Sequence, residues 1–157
     1  MAEDLTITSS TKEGKYAELF PQIQALVSGE TDTIANLANV CAALKYGMNF
    51  FWVGFYLVEE EQLVLGPFQG PVACTRINKG KGVCGAAWEK GETIIVEDVD
   101  KFPGHISCSS LSKSEIVIPI FNNGDIIAVL DVDSDSLASF DRTDEEWLKK
   151  ILGLLIF

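Results

Sequence analysis

The chain has 157 residues, 47% of them apolar and 22% charged, which is the composition of one globular domain able to bury its own core. Its net charge of −11 argues against nucleic acid and against an anionic membrane surface, since both call for a basic patch. The acidic, polar start (MAEDLTITSS) lacks the basic and apolar regions of a signal peptide, and the longest apolar run, 151–157, is too short to span a bilayer. The expectation is therefore one cytoplasmic domain over 1–157, with thiols kept reduced and any disulfide transient.

Residues 1–12 read as a mobile lead-in. An apolar stripe at Tyr16, Leu19, Phe20, Ile23, Leu26 and Val27 predicts a helix over 15–27, with Pro21 inside it. A second helix follows, capped by Thr31 or Asp32 and stopped by Gly47. Cys41 lies on its apolar face and reads as a small buried hydrophobe. The aromatic, β-branched run 50–58 (FFWVGFYLV) predicts a strand with Trp52, Gly54 and Tyr56 on one face and Phe51, Val53, Phe55 and Leu57 on the other. A polar turn leads into a returning strand that begins at 63–65.

The stretch 66–115 is rich in glycine and proline and carries three of the four cysteines, Cys74, Cys84 and Cys108, with the only histidine, His105. Short strands are predicted at 73–77 and 93–96, with a helix over 83–90 and irregular structure over 98–110. Strands at 115–121 and 125–132 flank Asn122-Asn123-Gly124, a hairpin signal. Thr143-x-x-Glu146 reads as a capping box opening a last amphipathic helix, which must pack on the first helix or on a second copy of the chain. The hairpins imply an antiparallel sheet with helices on one face: an α+β fold.

Cys84 falls in the expected first turn of a helix with Lys79 and Lys81 just upstream, a setting that stabilises a thiolate. Cys108 follows His105 by three residues, and an imidazolium would act similarly. Zinc held by Cys74, Cys84, Cys108 and His105 lacks the usual close Cys-Cys pair. The remaining chemistry is a thiol that is oxidised and then resolved by another. Glu115 opens one strand of the second hairpin, and Asp131 and Asp133 share a face at the end of the other; with no bulge, Glu115 is expected near Asp131. Three like charges there need a cation or a proton. Trp52 and Tyr56 supply an aromatic wall, or simply sheet packing.

The segments WVGFYL, GPFQGPVACTRI, GKGVCG, DVDKFPGHISC, SEIVIPI and LDVDS, spread over 16–147, resemble the free methionine-(R)-sulfoxide reductases of the GAF family. That resemblance implies a six-stranded antiparallel sheet flanked by helices, a dimer, and no cofactor beyond electrons from thioredoxin. It implies that Cys108 attacks the sulfoxide sulfur and becomes a sulfenic acid. Cys74 is the better match for the resolving thiol, while Cys84 could also pair with Cys108 or take part in exchange. Trp52 and Tyr56 would wall the pocket, and Glu115, Asp131 and Asp133 would bind the substrate and polarise the sulfoxide. The competing class is a non-catalytic GAF module that binds a small ligand or senses redox state.

Overall fold

A computed structural model of the chain describes residues 4–104 and 109–157. Helices α1 (Lys12–Val27) and α2 (Thr33–Met48) precede strands β1 (Trp52–Glu59), β2 (Gln62–Gln69) and β3 (Arg76–Asn78). Helix α3 (Gly82–Lys90), β4 (Ile94–Val96), β5 (Ser114–Asn122), β6 (Asp125–Ser134) and α4 (Arg142–Leu152) follow. The strands form one sheet in the order β3-β2-β1-β6-β5-β4, antiparallel throughout. Among the described residues no helix is long and apolar enough to cross a membrane.

The helices do not share one face, as the hairpin pattern suggested. Helices α1, α2 and α4 bury Tyr16, Leu19, Leu37, Leu44 and Leu148 against Val53, Phe55, Ile116, Ile118 and Leu130 of the sheet. The opposite face carries Trp52, Tyr56, Val117 and Val129, and α3 covers it with Val83, Cys84, Ala87 and Trp88. The expected alternation along β1 holds from Trp52 to Leu57, but Phe51, just before the strand, packs on the α3 side. Strand residues buried on both faces cannot show the simple in–out pattern of a half-exposed sheet, so sequence periodicity alone misplaced α3.

Several boundaries moved for identifiable reasons. Thr11 caps α1, its side chain accepting from the Gly14 N–H, so the helix starts three residues early. Residues 4–11, in the stretch expected to be a mobile lead-in, lie along α1: Thr6 N–H donates to Gln22, and Thr8 and Ser9 donate to Glu18. Helix α2 runs through Gly47, which packs on Leu19, and ends at Asn49 in the left-handed region. Strand β2, begun where expected, runs on through Gly66-Pro67, with a register shift opposite Gly54–Tyr56. The last helix is capped by Asp141, not Thr143; its carboxylate takes the Thr143 N–H while Asp144 takes the Asp141 N–H. That helix packs on α1, with Trp147 stacked on Tyr16.

Candidate functional site

The site is built at the end of the central strands, on the α3 side. The turn Asn123-Gly124 has both residues at positive φ, the geometry that joins twisted strands with a two-residue loop. Counted from the closing pair Asn122↔Asp125, a regular ladder would place Glu115 opposite Val132. Both Asp131 and Asp133 would then face the helix-packed core. A bulge corrects this: Ile120 pairs with Ala128 but Phe121 with Ile126, leaving Ile127 as the extra residue. Because side chains alternate, one inserted residue reverses every side chain beyond it. Glu115 consequently stands opposite Asp133, not Asp131, and Asp131 stands opposite Val117. All three carboxyl groups share the face that α3 covers.

The sheet end is held rigidly. Ser114 Oγ donates to Ser136 O, the Ser139 N–H donates to Ser114 Oγ, and the Lys113 N–H donates to Ser134 O. Glu115 and Asp131 are only 6% and 7% exposed, and Asp133 is partly buried. Burial raises all three pKa values, since an apolar surrounding penalises the charged form. Asp133 rises to about 6, held back by a hydrogen bond from Ser112, and is the easiest of the three to ionise. Its charge then adds to burial in holding protons on Asp131 and Glu115, and the Asp131 charge pushes Glu115 further.

Cys84 lies in the first turn of α3, as expected, but it is not a thiolate. It is 4% exposed and free, and its pKa is driven up by burial first and then by the charges of Asp131 and Glu115. Its Sγ points at Glu115 Oε1, 3.9 Å away. The two lysines invoked as activators face elsewhere: Lys79 lies over the Trp88 ring, and Lys81 is exposed at the cavity mouth. The helix-end effect on the thiol is therefore outweighed by desolvation and two neighbouring carboxyl groups.

Trp52 and Tyr56 stack at 6.1 Å, and Trp52 also stacks on Phe68 at 5.4 Å. Gly54 lies between the two aromatic residues on β1. A Cβ there would overlap the Trp52 ring and Phe68 Cβ, so only glycine lets the indole lie flat over the strand. Both rings also anchor a loop. Trp52 Nε1 donates to Pro71 O at 3.0 Å, and Tyr56 OH donates to Cys74 O at 2.9 Å. Cys74 is thus fixed beside the aromatic wall through its own carbonyl.

Trp52, Tyr56, Cys84 and the three carboxyl groups line one cavity with Phe51, Val72, Ala73, Ser109 and the start of α3. Its volume is about 40 Å³, and it opens to solvent at its mouth. Helix α3 has no side-chain cap among the described residues, and its start lines the cavity next to Lys81. The structure thereby brings together Trp52, Tyr56, Cys84, Glu115, Asp131 and Asp133, with Cys74 held at the wall. Cys108 and His105 lie outside the described residues. Ser112 went unnoticed in the sequence, because a serine in a serine-rich loop carries no local signal of its contact with Asp133.

The sequence pattern of the GAF domain family matches residues 30–155. Free methionine-R-sulfoxide reductase of Escherichia coli is 45% identical over 141 residues, covering 89% of this chain and 86% of that protein. The crystal structure of free methionine-R-sulfoxide reductase from Neisseria meningitidis, in complex with its substrate, superposes with a TM-score of 0.95 at 54% identity, over 98% of this chain and 93% of that one. The chain belongs to the free methionine-R-sulfoxide reductase family of GAF domains. GAF domain-containing protein A of Dictyostelium discoideum is 65% identical over 156 residues, or 99% of each chain. The family assignment accounts for the six-stranded antiparallel sheet.

Proposed function

We propose that this chain reduces free methionine-(R)-sulfoxide to methionine with its own cysteines. The observation that carries the reading is the carboxyl trio of buried Glu115 and Asp131 with partly buried Asp133, beside the start of α3, in a chain closely similar to reductases of this name. A free amino acid carries its ammonium and carboxylate on one carbon. A site for it therefore needs acceptors and donors side by side. Asp133, the first of the trio to ionise, suits the ammonium. The α3 N–H groups and Lys81 suit the carboxylate. Trp52 and Tyr56 offer flat apolar surface to the thioether end. A methionine sulfoxide inside a peptide lacks both charges and would leave the buried polar groups unpaired.

The chemistry then needs an acid, because a sulfoxide oxygen leaves only once protonated. Glu115 and Asp131 hold a proton next to a carboxylate, the pattern that separates acid from anion in one site. Cys108 as thiolate attacks the substrate sulfur, the oxygen passes to the cysteine as a sulfenic acid, and methionine departs reduced by two electrons. A second thiol displaces water and forms a disulfide. Cys74 is the better resolver, since the buried, proton-bound Cys84 is a poor nucleophile. Thioredoxin as reductant and a homodimer belong to the same proposal and rest on the family resemblance; a cytoplasmic location joins them as a reading of the sequence.

A thioredoxin-coupled NADPH assay with free and with N-acetylated sulfoxide tests this reading. Turnover of the free compound alone is expected. Activity on neither compound refutes the reductase reading, and equal activity on both refutes the free-substrate assignment. Cys108→Ser should abolish the single turnover seen without reductant, whereas Cys74→Ser should keep that turnover and lose recycling.

A further inference from the structure

We infer that Cys84, Glu115 and Asp131 form a binding site for a thiophilic divalent cation of the Zn²⁺ class. They offer one sulfur and two carboxylate oxygens, all buried and all within 4.8 Å of one another. A tetrahedral Zn²⁺ with bonds of about 2.3 Å to sulfur and about 2.1 Å to oxygen sets its sulfur and oxygen ligands about 3.6 Å apart. Cys84 Sγ and Glu115 Oε1 are 3.9 Å apart, so that edge of the tetrahedron nearly exists. The ligands come from α3, β5 and β6, two of them on adjacent paired strands, so little backbone would have to be ordered on binding.

A second observation points to a ligand at the same place. Asp131 Oδ1 is buried and has no hydrogen-bond partner among the described residues, although Asp131 lines the cavity. A buried carboxylate oxygen left without a donor is costly and calls for an occupant. None of the ion pairs among the described residues involves the trio, and the only lysine or arginine lining the cavity among those residues is Lys81, at its exposed edge. A divalent cation would neutralise most of the charge that these groups carry when deprotonated. The thiol favours Zn²⁺ or Cd²⁺ over Mg²⁺ and Ca²⁺, which prefer six or more oxygen ligands. Three protein ligands leave a fourth position for water from the open mouth.

Residues 84, 115 and 131 have no metal-motif spacing and meet only through the bulged hairpin and the seating of α3, so the sequence pointed to a cation at the carboxyl groups without joining Cys84 to them. The site differs from the cysteine–histidine combination weighed from the sequence. A cation there would occupy the carboxyl groups assigned to substrate and so compete with it; that consequence rests on the proposed function, whereas the metal site itself does not.

The test is titration of Co²⁺ into the reduced full chain, following the near-ultraviolet charge-transfer absorption of a cobalt–thiolate bond. One equivalent is expected to bind, to be displaced by Zn²⁺, and to give the same band in the Cys74→Ser/Cys108→Ser double variant. The band should vanish in Cys84→Ser. Asp131→Asn and Glu115→Gln, near-isosteric changes that serve even if Cys84→Ser fails to fold, should each raise the Co²⁺ dissociation constant by roughly tenfold or more. A band that survives Cys84→Ser or needs Cys74 or Cys108, no band at saturating Co²⁺, or unchanged affinity in both carboxyl variants would overturn the inference.

Discussion

Asp133→Asn isolates the electrostatic logic of the site. Burial raises the Asp133 pKa from an ordinary 3.8 to about 6. At about 1.4 kcal/mol per unit, ionising it in the folded chain costs about 3 kcal/mol more than in the unfolded chain. Because the folded pKa is the higher one, the stability it contributes is full below about pH 4, falls as pH rises through about 6, and stays lost above that. Asparagine does not titrate. The variant should therefore gain stability relative to the parent by up to about 3 kcal/mol between about pH 4 and about pH 7. Loss of the Asp133 charge also eases deprotonation of Asp131 and Glu115, which acts in the same direction. Urea unfolding of both reduced proteins, followed by far-UV circular dichroism across that range, reads the difference. A gap constant to within about 0.5 kcal/mol would refute the desolvation argument. A gap that changes with the opposite sign would mean that the native site prefers the charged carboxylate.

Three further outcomes follow from the packing. Tyr16→Phe deletes the hydroxyl that donates to buried Asp144 at 2.8 Å, leaving Lys12 and the Asp141 N–H on its other oxygen; a loss of about 1–3 kcal/mol in urea unfolding is expected, and no loss would show that the bond is dispensable. Gly54→Ala forces the Trp52 ring off the strand, so tryptophan fluorescence should shift, stability should fall by about 1–3 kcal/mol, and KM for the sulfoxide should rise; an unchanged spectrum would contradict the close approach. Cys41→Ser should leave thioredoxin-coupled activity unchanged, because Cys41 is packed between α2 and β2, its thiol donating to Pro67 O and its pKa pushed up by burial to about 12. A loss of activity without a loss of fold would give Cys41 a role in the thiol chemistry.

Much of this protein is written locally in its chain. The apolar stripe of α1, the Asp32 cap of α2, the aromatic alternation of β1 and the Asn123-Gly124 turn each follow from neighbours a few residues apart, and the segments shared with the reductase family are contiguous. The thiols were legible for the same reason, because three cysteines in glycine-rich loops stand out against ordinary composition, whereas Glu115, Asp131 and Asp133 stood out only through the family segments SEIVIPI and LDVDS. What the sequence could not supply was decided by long-range packing. One extra residue at Ile127 determines which face Asp131 and Asp133 share with Glu115, and a bulge leaves no local mark among apolar residues. The seating of α3 on that face makes Cys84 a buried, protonated thiol where its lysines and helix start had suggested a thiolate. Burial sets pKa values, and burial belongs to the assembled sheet and helices.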